Sequence, residues 1–377
     1  MKDGFAVIDA DRHSMEPAEL WDRYLEPRFR GRVVAVGDVQ LVDGRPFSSA
    51  HREQPNTGFR SWSHGERYRQ VYADGAAHDF DPASNLRDMD REGVDVAVLF
   101  PTYGLHMIWL NDIDVDLGAA ICRAYNTWIA EYCSNHADRL KGVALIPVYD
   151  PPQAIAELRR AKTELGLVGV MWRPNPLMGR NLDSPDYFPI YEAACDLDMP
   201  ILVHEGAGSM LRQAGDERYG AFGRHIACHP MEQMLACLTM CANGLLERFP
   251  ALRVAFMESG CGWLPFWLER MDEHWEHAEL GSNRATKDPP SAIFKRQSFI
   301  SCESGEALIQ TVVDLHGDDN LVTATDYPHP DALDKFPERT IGDLTRNPTL
   351  SAESKRKILW DNPARLYGIK AAPGGGK

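Results

Sequence analysis

Eight short apolar runs, most of them followed by a stretch of helical periodicity, constrain this chain more than anything else in it. The runs are 6–11 (AVIDAD), 94–101 (VDVAVLFP), 142–148 (GVALIPV), 167–173 (LVGVMWR), 200–204 (PILVH), 253–258 (RVAFME), 297–302 (QSFISC) and 321–326 (LVTATD). They are brief, rich in β-branched residues and apolar on both faces, as strands buried within a parallel sheet must be. Apolar residues recur at three- and four-residue spacing over 116–137, 153–164, 231–247 and 263–274. Pro151 and Pro152 precede the second of these and Gly166 follows it, as start and stop signals. A further segment, 184–197, opens with Ser184 in an N-cap-like place and Pro185 behind it. Strand–helix alternation repeated eight times predicts an α/β fold, a (β/α)8 TIM barrel with inserted βα loops, rather than an open doubly wound sheet. No Gly-rich dinucleotide or P-loop fingerprint follows the first strand.

One domain over 1–370 is expected, with a loop insertion at about 35–80 and a disordered tail at 371–377. The insertion is polar and aromatic, with Arg60, Trp62, His64 and Tyr68, and reads as a lid or a dimer-contact arm. The 44% hydrophobic and 25% charged composition is that of a globular protein, and the net charge of −15 weighs against a nucleic-acid partner. The eight cysteines form no CxxC pair and read as buried thiols; Cys237 and Cys241 stand one helical turn apart. No run is long enough to span a bilayer, so no membrane partner is expected, and the expected compartment is the reducing cytoplasm.

Several of these runs end on an acid or an imidazole. Asp11 and His13 close VIDADRH, His204 closes ILVHEG, and Asp326 closes LVTATDYPHP. Barrels present reactive side chains in this way, where strands give way to βα loops. Side chains alternate along a strand, so Asp9, Asp11 and His13 share one face if the first strand extends that far; otherwise it ends near Ala10 and the rest is solvated loop. Singly, each residue has an ordinary reading: His204 as a structural histidine, Asp326 as a turn former before Tyr and Pro. Jointly, at strands one, five and eight, they form a mixed N/O set suited to a divalent metal ion.

The order of these residues resembles the amidohydrolase superfamily, and more narrowly the amidohydrolase-2 group. The phrases that carry the resemblance are DADRHSMEP from residue 9, LLERFPALRVAFMESGCGWLPFWLERMD (245–272), TDYPHPD from residue 325 and WDNPARLYGI (360–369). The resemblance implies one divalent metal ion (Zn²⁺, Mn²⁺ or Fe²⁺) held by Asp11, His13, His204 and Asp326. Related enzymes bridge two metals with a modified lysine after strand four; MWRPNP has Arg173 and no lysine there, so a mononuclear site is expected. Asp11 and Glu258 stand where the group's decarboxylases have histidine, and an added carboxylate moves the preference toward Mn²⁺ or Fe²⁺. Arg12, in a place often filled by Gly, is expected to point away from the barrel interior.

The implied activity is metal-dependent, non-oxidative decarboxylation of an aromatic or unsaturated carboxylic acid. Two alternatives are a metal-dependent hydrolase of an amide, lactone or C–C bond, and a non-catalytic barrel serving as a binding protein. Asp326 is expected to move the proton, with Glu258 and His329 in support. Arg173 is expected to grip the carboxylate of a small-molecule substrate, with Tyr103, His106 and His229 around it. Glu16 and His329 are expected behind the ligands, and Trp62, Trp172 and Trp263 as an aromatic wall. A homodimer is the expected assembly.

Overall fold

The computed structural model describes residues 1–36, 39–46, 65–206, 210–277 and 284–370. Eight parallel strands form one sheet in chain order: β1 (Ile8–Ser14), β2 (Val96–Pro101), β3 (Leu140–Ala144), β4 (Gly169–Trp172), β5 (Ile201–His204), β6 (Val254–Met257), β7 (Ser298–Glu303) and β8 (Leu321–Ala324). All seven ladders between neighbours in this order are parallel. The last strand returns to the first just beyond β8. Asp326 N donates to Asp11 O at 3.0 Å and His13 N to Tyr327 O at 2.7 Å. Every residue of β2, β4, β5, β6 and β8 is buried, which is why each read as an unbroken apolar run.

The eight expected strands are all present, shifted by a few residues at their ends. Helices Val115–Ser134, Pro151–Thr163 and Leu264–Glu276 lie where periodicity put them. Asp150 caps the second by accepting from Gln153 N at 3.1 Å. Ser184 does not cap with its side chain; Pro185–Tyr187 forms a 3-10 turn leading into helix Phe188–Asp196. The helix expected at 231–247 starts ten residues earlier, at Ala221, and ends at Cys237, followed by a π-turn at Leu238–Ala242. Pro230 lies within this helix. It lacks the N–H that would reach the carbonyl of Ile226, a residue on the exposed face of the helix.

The expected insertion begins as a three-stranded antiparallel sheet, Val33–Val36, Val39–Val42 and Arg45–Pro46. Arg60, Trp62 and His64 lie outside the described residues, as does the tail 371–377. Beyond residue 64, helices Glu66–Val71 and Ala73–Ala77 follow. They bring Tyr68 and Tyr72 into a small second core with Met15, Phe80 and Tyr327, set against the ends of β1 and β8. Among the described residues no helix is long and apolar enough to cross a membrane. All eight cysteines are free, and seven are buried.

Candidate metal centre and active site

β1 runs through to Ser14 rather than ending at Ala10, and its register against β2 shifts between Asp9 and Arg12. The extra residue is a β-bulge, and it breaks the strict alternation that would put Asp9, Asp11 and His13 on one face. Asp9 instead accepts from Thr325 N at 3.0 Å and Thr325 Oγ1 at 2.5 Å and does not join the ligand cluster. Asp11 and His13 do face the barrel's carboxyl end.

There the structure brings Asp11, His13, His204 and Asp326 together with Glu258 and His329. Two overlapping groups sharing His13 have the geometry of a metal site: Asp11, His13 and His204, and His13, Glu258, Asp326 and His329. His13 Nε2 lies 3.6 Å from Asp11 Oδ1 and 3.5 Å from Asp326 Oδ1. His204 Nε2 lies 3.4 Å from Asp11 Oδ2 and 3.1 Å from Glu258 Oε2. The far nitrogens are tied down: His13 Nδ1 donates to Pro101 O at 2.9 Å and His204 Nδ1 to Glu205 O at 2.6 Å. Carbonyl oxygens accept only, so each Nδ1 carries hydrogen and each Nε2 points inward, the arrangement of metal-binding imidazoles.

Both Asp11 oxygens, both Nε2 atoms, Glu258 Oε2 and Asp326 Oδ2 are buried without a hydrogen-bond partner among the described residues. Orphaned donors and acceptors of this kind are costly in a protein interior. A divalent cation held by either of the two groups that share His13 would satisfy the donors of that group, so the donor set fits one. Burial foremost, then the nearby His329 and His204, holds the His13 imidazole well below its ordinary pKa. Burial and then Asp326 and Asp11 push Glu258 well up, and burial, Asp331 and Asp11 do the same to Asp326. Glu258 and Asp326 also sit in the left-handed backbone region, at φ 48° and 57°. Such strain in non-glycine residues gathers at functional sites. No sequence pattern discloses it.

His329 stacks on His13 with ring centres 3.8 Å apart, and its Nδ1 lies 2.9 Å from Asp326 Oδ1. Its Nε2 meets Thr102 Oγ1 at 3.2 Å, and that hydroxyl donates to Ser14 O at 2.8 Å. The hydroxyl hydrogen is thus spent, so His329 donates through Nε2 and its Nδ1 faces Asp326 as a proton carrier. His229 lies within helix Ala221–Cys237; its Nδ1 donates to Glu258 O at 2.8 Å, which sets the ring beside that carboxylate.

Arg173 has a different place from the expected one. Its guanidinium is fully buried and donates to Asn175 Oδ1, Leu105 O, Gly206 O and the Glu205 carboxylate. The grip expected for a substrate carboxylate is taken by Glu205. His106 packs beside this pair: a Cβ on Gly206 would stand 3.0 Å from both Arg173 Nη1 and His106 Cε1, so any side chain there would have to push one of them aside. Tyr103 lines a neighbouring cavity of about 420 Å³ with Met15, Glu16, Arg69 and Phe80. Glu16 accepts from Thr102 N, Tyr103 N and Gly104 N at 3.0–3.1 Å and so holds the loop after β2. Trp172 stacks on Tyr191 and packs edge-on to Tyr187 in the outer core, and Trp263 bonds to Ser259 Oγ at 3.3 Å. Trp62 lies outside the described residues.

Sequence reasoning missed Thr102 and Glu205. Both were findable, since each directly follows a strand end already singled out. Ser301, which accepts from Glu258 N at 3.0 Å, carried no such signal.

The profile of the amidohydrolase family matches residues 8–369, and the chain belongs to that family. It is an enzyme of that family. It is 29% identical to the 2-amino-3-carboxymuconate-6-semialdehyde decarboxylase of Dictyostelium discoideum, over 77% of each chain. It is 26% identical to the gamma-resorcylate decarboxylase of a Polaromonas species, over 75% of this chain and 86% of that one. Its fold is similar to the crystal structure of 5-carboxyvanillate decarboxylase from Novosphingobium aromaticivorans, complexed with manganese and 4-hydroxy-3-methoxy-5-nitrobenzoic acid. That match has a TM-score of 0.72 at 21% identity and covers 98% of this chain and 97% of that one.

Proposed function

We propose that this protein is a metal-dependent, non-oxidative decarboxylase of an aromatic or unsaturated carboxylic acid. The observation that carries the reading is the set of inward-facing, unpartnered donors of Asp11, His13, His204 and Asp326 at the carboxyl end of the barrel. The decarboxylases among its relatives, and the manganese in a structural neighbour, support it.

Asp11, His13, His204 and Asp326 would hold one divalent cation. Two carboxylates and two imidazoles, with the Glu258 carboxylate beside them, make a harder set than histidines alone and favour Mn²⁺ over Zn²⁺. When bound, the cation supplies Lewis-acid polarisation of substrate oxygens. Asp326 then gives a proton to the ring carbon that bears the carboxylate. The C–C bond to the carboxylate breaks, its electron pair returns to the ring, and CO₂ leaves. His329, at 2.9 Å, returns a proton from solvent to Asp326. Glu258, bonded through its backbone carbonyl to His229, holds a second carboxyl within reach of the same space. General acid help of this kind is worth about 10²–10⁴-fold.

The test is CO₂ release by the Mn²⁺-loaded protein from a panel of hydroxybenzoates and carboxymuconate-like acids in D₂O. Release with one deuterium placed at the vacated carbon is the expected result. Turnover that incorporates solvent ¹⁸O without CO₂ would replace this reading with a hydrolase. Silence across the panel, in protein shown to hold Mn²⁺, would count against decarboxylation.

A further inference from the structure

Arg12 lies in sequence between two residues of the metal cluster, yet its side chain leaves the barrel interior. It is fully buried between β1 and helix Pro82–Glu92, where Nε donates to Asn85 Oδ1 at 2.8 Å and Nη1 to Glu92 Oε2 at 2.7 Å. Its guanidinium carbon lies 3.6 Å from the centre of the Tyr327 ring, and Tyr327 OH donates to Asp88 Oδ2 at 2.6 Å. Asn85, Asp88 and Glu92 are spaced along one face of that helix and are all buried.

Two backbone hydrogen bonds join the same pair of segments, His13 to Tyr327 and Asp326 to Asp11. Inward from this seam stand Asp11, His13 and Asp326; outward stands the Arg12–Tyr327 stack. A buried ion pair is a poor way to gain stability, since desolvation offsets its attraction, and its best-attested use is to specify one geometry. Apolar side chains would fill this wall without that cost.

We propose that Arg12 is a positioning residue, fixing the spacing of Asp11, His13 and Asp326 for a divalent cation by clamping Tyr327 and helix Pro82–Glu92 against β1. The inference rests on the metal-centre reading above. It is tested by titrating metal-free protein with Mn²⁺, following the EPR signal of the free ion, alongside the melting temperature of the metal-free form. Two variants serve: R12K, which keeps the charge and loses the flat stack and the bond to Asn85, and R12M/E92L, which removes the Arg12–Glu92 pair together and leaves Asp9, 3.5 Å from Arg12 Nη1, held by its bonds from Thr325. The expected result is a Kd for Mn²⁺ raised about 10–100-fold in both, the scale of losing a group that orients metal ligands. KM for substrate at saturating Mn²⁺ stays at the wild-type value.

A Kd within twofold of wild type in R12K overturns the inference, whatever happens to the melting temperature, because a purely structural role lowers melting and leaves affinity alone. Tighter binding also overturns it, since Arg12 would then act only as a repelling charge. Should R12M/E92L fail to fold, R12K decides alone. Wild-type protein that takes up no Mn²⁺ would instead sink the metal-centre reading itself.

Discussion

Removing the Glu16 carboxylate should cost more than an ordinary side-chain truncation, and the geometry sets how much. Three consecutive backbone amides, Thr102, Tyr103 and Gly104, converge on its two oxygens, two on Oε2 and one on Oε1. Three donors on two oxygens call for the anion, although burial pushes the carboxyl's pKa up. Glu16→Ala orphans all three amides, each worth about 1–3 kcal/mol when buried and unmet. The adjoining cavity lined by Glu16 and Tyr103 lets water reach them, so the low end applies, about 3 kcal/mol in total. Glu16→Gln can keep its oxygen on the two-amide side and turns its NH₂ toward Gly104 N, losing one bond and adding a donor–donor contact, about 2 kcal/mol. Urea unfolding monitored by tryptophan fluorescence measures both. The same loop carries Thr102, the partner of His329, so kcat should fall in both variants while Mn²⁺ affinity holds. Glu16→Ala within about 0.5 kcal/mol of wild type would refute the reasoning, because orphaned buried amides cannot be that cheap.

Asp326→Asn should lower kcat by about 10²–10⁴-fold, the worth of a general acid, with an unchanged circular dichroism spectrum; a loss under tenfold would remove Asp326 from the proton path. Arg173→Met should destabilise by about 3–5 kcal/mol by leaving Glu205 buried and unpaired, and R173M/E205Q should recover most of the melting temperature with KM unchanged. Glu232 is 6% exposed, and burial, then Glu205, raises its carboxyl from 4.5 to about 7. Between those values the folded chain keeps a proton that the unfolded chain releases, so stability falls as pH rises, by about 1.4 kcal/mol per pH unit and about 3 kcal/mol across the window. Glu232→Gln should flatten that slope in urea melts from pH 4 to 8; parallel wild-type and variant curves would count against it.

The barrel was legible because its strands are buried on both faces, and that burial writes itself as short unbroken apolar runs. The site was legible in outline for a related reason: Asp11, His204 and Asp326 interrupt such runs where packing gives no cause to. What escaped depends on partners far away in sequence or on backbone detail. The bulge between Asp9 and Arg12 redirects one acid by a single inserted residue, which periodicity cannot show. Arg173 looked like a free anion grip because Glu205, just past the end of the next strand, could not be seen as its partner before the strands were laid side by side.

The charges at the centre bear on which reaction the site is suited to. Asp11, Glu258 and Asp326 stand around His13 and His204, in a space where several carboxylate and imidazole atoms are cut off from water. A divalent cation offsets two of the three negative charges. The third carboxylate, left ionised in such surroundings, would cost several kcal/mol, whereas a proton removes that cost. Burial and mutual repulsion already push Glu258 and Asp326 toward holding one. Before a cation binds, the site therefore favours a proton on Glu258 or Asp326. Decarboxylation consumes one proton at the carbon that loses CO₂, so a resident acid is the starting state it needs. Hydrolysis asks the opposite of the same carboxylate, which must begin empty to take a proton from water. On the decarboxylase reading proposed above, the third carboxylate, where two would have balanced the cation, is the place where that proton is kept.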